Sequence, residues 1–158
     1  MRLIFVKILL SLIVIAITGG KIFSREIAVD KKGKIKSIKE AINLANDGDL
    51  IIINRGDYYE GNIIINKKIE LRGIDYPVID GNNKEEILTV ISDSVKIRGL
   101  LLRNAGVSYL KENAAIRLDE VQGCVIENNK FYNNFFFLFL SHTANAITSD
   151  NIIEGNWN

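Results

Sequence analysis

Along most of this chain, apolar residues alternate with polar ones in short runs that change phase at a glycine or an asparagine. In Val95-Lys96-Ile97-Arg98-Gly99 the alternation puts Val95 and Ile97 on one face. Gly99 then breaks the phase, and Leu100 and Leu102 of Leu100-Leu101-Leu102-Arg103-Asn104 resume on the same side of a bent path, which predicts two short strands around a corner. The pattern recurs 29 residues on, in Cys124-Val125-Ile126-Glu127-Asn128 and Asn129-Lys130-Phe131-Tyr132-Asn133, and again 22 residues later over 146–155. Counting back 26 residues from Val95, Ile69-Glu70-Leu71-Arg72-Gly73 and Ile74-Asp75-Tyr76 fit the same frame. Three inward columns result: Ile69/Val95/Cys124/Ala146, Leu71/Ile97/Ile126/Thr148 and Tyr76/Leu102/Phe131/Ile153.

Spacings of 22 to 29 residues are too long for tight hairpins and suit one turn of a solenoid, whose successive coils pair in parallel about 4.8 Å apart. The expected fold is all-β, a single-stranded right-handed parallel β-helix of about four coils, rather than a sandwich, whose two- to five-residue hairpin turns are scarce here. Residues 105–113 break the alternation and are expected to project as a loop from one corner. Two outward columns support the register. Glu70 falls beside Lys96 and Arg98 beside Glu127, so opposite charges neighbour each other on adjacent strands. At the corner, Gly73 and Gly99 mark the phase break, Asn128 stands over Asp150, and Asn129 over Asn151, a setting for amides that bond along the solenoid axis.

One segment has the other period. Ser37-Ile38-Lys39-Glu40 fits a capping box, in which the Ser37 hydroxyl accepts the Glu40 amide and the Glu40 carboxylate returns to the Ser37 amide. Ile38, Ala41, Ile42 and Ala45 then form one apolar stripe, and Asn46-Asp47-Gly48 supplies a stop. A short N-terminal helix capping the first coil is predicted, followed at once by the aliphatic run Leu50-Ile51-Ile52-Ile53.

The first two dozen residues follow neither pattern. Arg2 and Lys7, an apolar run over 8–17 and the small residues Thr18-Gly19-Gly20 have the layout of a secretory signal peptide, with cleavage expected between 18 and 24. An apolar run of ten falls short of the roughly 20 residues that span a bilayer, so export with membrane contact only through 1–24 is expected, leaving 25–158 as the β-helix. The 158 residues carry 20 Lys and Arg against 19 Asp and Glu, net +1, which gives no basic footprint for nucleic acid. One Cys excludes an internal disulfide.

These motifs together, with Gly56-Asp57-Tyr58-Tyr59 and Val78-Ile79-Asp80-Gly81, resemble the opening of the NosD proteins, a periplasmic β-helix family related to the wider pectin-lyase-like set. The resemblance implies an accessory role in assembling the copper-sulfur centre of nitrous oxide reductase, with copper delivery or binding as the activity and the reductase or its maturation proteins as partners. Two departures stand out. Family members continue for many more coils, whereas this sequence stops within a coil at Gly155-Asn156-Trp157-Asn158, so an incomplete β-helix that aggregates or dimerises end to end is expected. And Phe135-Phe136-Phe137-Leu138-Phe139-Leu140 must put some large apolar side chains outward.

Copper needs convergent soft ligands, and the processed chain supplies one Cys and one His. Cys124 falls in an inward column and reads as a small core residue; His142 reads as a corner residue. No copper site follows, and copper is implied by the resemblance alone. A polysaccharide lyase or hydrolase is the first alternative, but Asp75 and Asp80 read as turn residues, Arg72 and Arg98 as partners of Glu127's column, and no catalytic set emerges. The second alternative is a solenoid that holds glycan or protein on its surface, with Tyr58, Tyr59 and Tyr132 as exposed stacking candidates.

Overall fold

The computed structural model describes residues 24–108 and 113–155. The expected signal peptide therefore lies outside the described residues, apart from Ser24, as do 109–112 of the expected loop. Among the described residues, fifteen strands and one helix wind into a right-handed parallel β-solenoid of about five turns.

The first coil begins with β1 (Glu26–Val29) and continues through α1 (Ile38–Leu44). Four coils with strands at each face follow: β2 (Leu50–Ile53), β3 (Asp57–Tyr58) and β4 (Ile63–Ile65); β5 (Glu70–Gly73), β6 (Val78–Asp80) and β7 (Leu88–Val90); β8 (Lys96–Arg98), β9 (Leu101–Arg103) and β10 (Ala114–Asp119); β11 (Val125–Glu127), β12 (Lys130–Tyr132) and β13 (Phe136–Ser141). A last coil contributes β14 (Ile147–Ser149) and β15 (Ile152–Glu154). β1 pairs with β2 and from β2 on every third strand pairs, giving three parallel sheets ordered β1-β2-β5-β8-β11-β14, β3-β6-β9-β12-β15 and β4-β7-β10-β13. The solenoid has more coils than the four that the sequence repeat predicts, because β2, an unbroken aliphatic run, hides its alternation and α1 replaces a strand.

The inward columns form the core. Ile51, Leu71, Ile97, Ile126 and Thr148 stand in one register line. Ile79, Leu102, Phe131 and Ile153 stand in another. Members of both lines within the stack are sealed from solvent. Each such side chain contributes about 1.5–3 kcal/mol by leaving water. Tyr76 was expected at the head of the second line, and Ile79 takes that place instead. The corner after Gly73 is longer: Asp75 and Tyr76 adopt left-handed backbone, at φ 58° and 53°, and Pro77 leads into β6.

The helix closes the N-terminal end by burying Ile38, Ala41 and Ile42 against the solenoid. It follows β1 and precedes β2 as β4 follows β3 and precedes β5. Half of the expected capping box is present, since the Glu40 N–H donates to Ser37 Oγ at 3.2 Å. The return arm comes from elsewhere: Glu60 accepts from Ser37 Oγ, from Ile38 N and from Lys39 N at 2.6, 2.7 and 3.0 Å. A carboxylate 22 residues downstream thus satisfies the free amides and the positive end of the helix. At the other end Lys67 Nζ donates to the carbonyls of Ile42, Asn43 and Ala45. Both ends of α1 are pinned by the coil that follows.

Candidate functional site

Where successive coils turn from the first sheet to the second, the sequence-predicted corner residues come together. Gly99, Asn128 and Asp150 occupy equivalent places, each in the left-handed region at φ 71°, 53° and 54°. Gly73 abuts this column, and a Cβ there would lie 2.2 Å from the Gly99 carbonyl oxygen, so only glycine fits. One residue on, Asn129 is fully buried. Its Oδ1 accepts from Leu100 N–H at 3.0 Å, and its Nδ2 donates to Ile97 O at 2.9 Å and to Asn151 Oδ1 at 3.2 Å. Asn151 repeats the arrangement, accepting from Asn129 N–H and donating to Ile126 O. These amides satisfy backbone groups that the bend leaves without strand partners.

A second ladder, at the next corner, was not anticipated. Asn134 accepts from Ala105 N–H at 2.9 Å and donates to Leu102 O, Asn133 donates to Asn104, and Asn104 donates to both oxygens of Asp80. Asp80 also accepts from Arg103 Nε at 2.7 Å and from Asn82 N–H. Burial alone would raise the Asp80 carboxyl, but these bonds outweigh it and hold the group below its ordinary value. Asp80 is thus locked into the corner, whereas Asp75 is exposed on a turn.

On the outer face of the first sheet Arg98 meets Glu127 at 2.9 Å, as the register predicts. Glu70 lies opposite Lys96 in register, yet it bonds Arg72 at 2.6 Å and approaches Arg98 at 3.3 Å. The diagonal neighbour wins over the direct one because a guanidinium forks between two carboxylates. These partly exposed pairs are each worth about 1 kcal/mol or less. On the second sheet Asp80, Arg103, Tyr132 and Glu154 line up outward in register. Arg103 bonds Asp80 and Tyr59, which is 60% exposed. Tyr58, by contrast, is fully buried, with its hydroxyl donating to Asn54 O, and is no stacking platform. Tyr76 lines a surface groove of about 400 Å³ with Arg55, Asp57 and Lys130; its ring is covered by Lys130 Nζ at 4.0 Å and its hydroxyl donates to Asn128.

The two candidate copper ligands stay apart in character. Cys124 is sealed in the core beside Ser92 O, and burial pushes its thiol up, away from the thiolate that a metal needs. His142 is exposed at a corner, with Nδ1 3.3 Å from Ser141 Oγ. These residues do not fit a copper centre. Among the described residues no helix is long and apolar enough to cross a membrane.

No family profile matches the chain. No solved structure matches it. Over 118 residues, 74% of its length, it is 30% identical to a protein of Pseudomonas aeruginosa described as "Probable ABC transporter binding protein NosD". It spans 28% of that relative's length. In sequence the chain is similar to NosD over that stretch, and in winding it is a right-handed parallel β-helix.

Proposed function

We propose that this chain acts in the periplasm as a NosD-like accessory protein, supporting assembly of the copper-sulfur centre of nitrous oxide reductase by holding maturation proteins along its solenoid. The observation that carries this reading is the 30% identity to NosD over 118 residues, in a chain whose strands wind in parallel coils. The relative is described as a binding protein of an ABC transporter, so a transporter component is a natural first partner to test. The rigid stack of coils suits such a role, because three sheets present outward side chains at fixed spacing along one axis. Copper enters this reading as cargo of the assembly. Cys124 and His142 are not its carriers, for the reasons of burial and isolation given above.

The test is removal of the chain from the cells that make it. Nitrous oxide reductase should then lose activity and the visible absorption of its copper-sulfur centre, and re-expression should restore both. Unchanged reductase would refute the reading. Fractionation should find the chain in the periplasm with a new N-terminus between residues 19 and 25. A second reading, glycan binding, is favoured by one observation, the outward row with Arg103, Tyr132 and neighbouring Tyr59. It predicts polysaccharide binding that Tyr59→Ala and Tyr132→Ala both weaken, and titration calorimetry with no heat for either parent or variants would dismiss it.

A further inference from the structure

We propose that the first coil of the solenoid docks on an anionic phospholipid surface, through the lysine-rich turn that joins β1 to α1. Between residues 25 and 39 the sequence holds six Lys and Arg against two Asp and Glu. From 40 to 155 it holds 11 against 17, so the near-neutral total conceals a basic coil on an acidic body. Lys31, Lys32, Lys34, Lys36 and Lys39 are all exposed. Lys31 Nζ lies over the Tyr58 ring at 4.3 Å, and none of the five enters an ion pair among the described residues. Two acids at the turn are spent on its backbone. Asp30 accepts from Lys32 N–H at 2.7 Å and from Asn54 Nδ2 at 3.0 Å, while Glu60 accepts from Ser37 Oγ and from the amides of Ile38 and Lys39. These bonds fix the turn and leave its ammonium groups to face outward.

The kind of cation points to the kind of partner. Every ion pair among the described residues uses arginine, from Arg25, Arg72, Arg98, Arg103 or Arg117. A guanidinium forks onto a carboxylate of fixed geometry, whereas an ammonium on a flexible stem is a point charge that follows headgroups as they move. Five lysines and no arginine over residues 31–39 therefore fit a fluid anionic surface better than the acidic patch of a folded protein. Leu44, 52% exposed, lines one groove with Lys34 and Ile35, which gives the same coil apolar side chains to press into the interface. Because the body is acidic, the surface repels it, and the solenoid stands with its first coil down. Each ammonium within a Debye length of the surface tightens binding about fivefold. This contact is separate from any made through 1–24, and it holds whether or not the chain serves nitrous oxide reductase.

The test is co-sedimentation of the chain, in the form its host makes, with vesicles of phosphatidylglycerol and phosphatidylethanolamine, and with vesicles of phosphatidylcholine alone. Binding to the first that added salt releases, and none to the second, is expected. Lys32→Gln with Lys34→Gln should weaken binding about twenty-five-fold at an unchanged urea midpoint. Lys84→Gln with Lys96→Gln removes the same charge from the body and should leave binding within about twofold, and Lys32→Arg with Lys34→Arg should retain it. Lysine acetylation of the unaltered chain, mapped by mass spectrometry, gives a second reading that does not depend on variants: anionic vesicles should shield Lys31 to Lys39 and leave Lys84, Lys96 and Lys130 reactive. No binding to anionic vesicles, equal binding to neutral ones, equal losses in the two glutamine variants, or lysines 31–39 that stay reactive on vesicles would each overturn the proposal. So would capture of an acidic transporter component by a chain that ignores vesicles.

Discussion

Replacing Asn129 removes one side chain and strands several backbone groups, so its cost can be worked out. In Asn129→Ala the Leu100 N–H loses the Oδ1 that accepts it, and Ile97 O loses the Nδ2 that donates to it. An unsatisfied buried donor costs about 1–3 kcal/mol, and the lost second bond about 1 kcal/mol more. With a small void added, the total is about 3 kcal/mol, a large share of the roughly 5–15 kcal/mol that holds a domain folded. Urea unfolding followed by dichroism reads this as a lower midpoint at an unchanged slope. Leucine is the sharper control, because Leu100 occupies the equivalent corner place one coil earlier. If the corner mainly wanted filling, Asn129→Leu would be as stable as the parent. The hydrogen-bond account says that it loses about as much as Asn129→Ala. An Asn129→Leu chain with the parent's midpoint would refute the account of the ladder.

Four further outcomes are expected. Glu60→Ala should cost about 2 kcal/mol, the upper range for a lost helix cap, while Glu40→Ala stays within about 0.5 kcal/mol, both read by urea midpoints; equal losses would return the cap to the local box. Gly73→Ala should cost about 3 kcal/mol or prevent folding, since its Cβ meets the Gly99 carbonyl, and a stable soluble variant would contradict that contact. The Asp80 carboxyl is held below its ordinary value, so its contribution is fully present above the unfolded value of about 3.9 and is lost as pH falls through the folded one. Stability should therefore drop below about pH 4, and drop less in Asp80→Asn, with equal acid sensitivity in the two chains counting against the ladder's charge. Cys124 should ignore a thiol reagent in the folded chain and react once urea unfolds it; prompt labelling of the native protein would contradict its burial.

How much of this was readable beforehand depends on where each constraint lives. Inward columns such as Leu71/Ile97/Ile126 are legible because alternation assigns each residue to a face and parallel stacking repeats the assignment. The first asparagine ladder is legible for the same reason. The second was equally so: the offset of 29 that pairs Leu100 with Asn129 also pairs Asn104 with Asn133 and Ala105 with Asn134. Tyr76 misleads because corners vary in length without disturbing the strands on either side, so a count carried across a corner slips. Tyr58 and Tyr59 look alike in sequence, and the one that turns inward is decided by a two-residue strand too short to show alternation. Glu60 carries no local signal at all. It caps α1 only because the next coil brings it there.

That division also explains why the resemblance to NosD travels further for the fold than for the chemistry. A solenoid coil asks for apolar residues inward, a left-handed residue at the corner and an amide beside it, and many sequences satisfy those demands. Ligands and partners are read instead from outward rows and corner loops, where Arg103, Tyr132, Tyr59 and His142 lie and where the columns place no demand. A chain can therefore keep the whole inward code of a family while changing every outward residue that does the family's work, and the outward rows are where substitutions should be made to find out what this one binds.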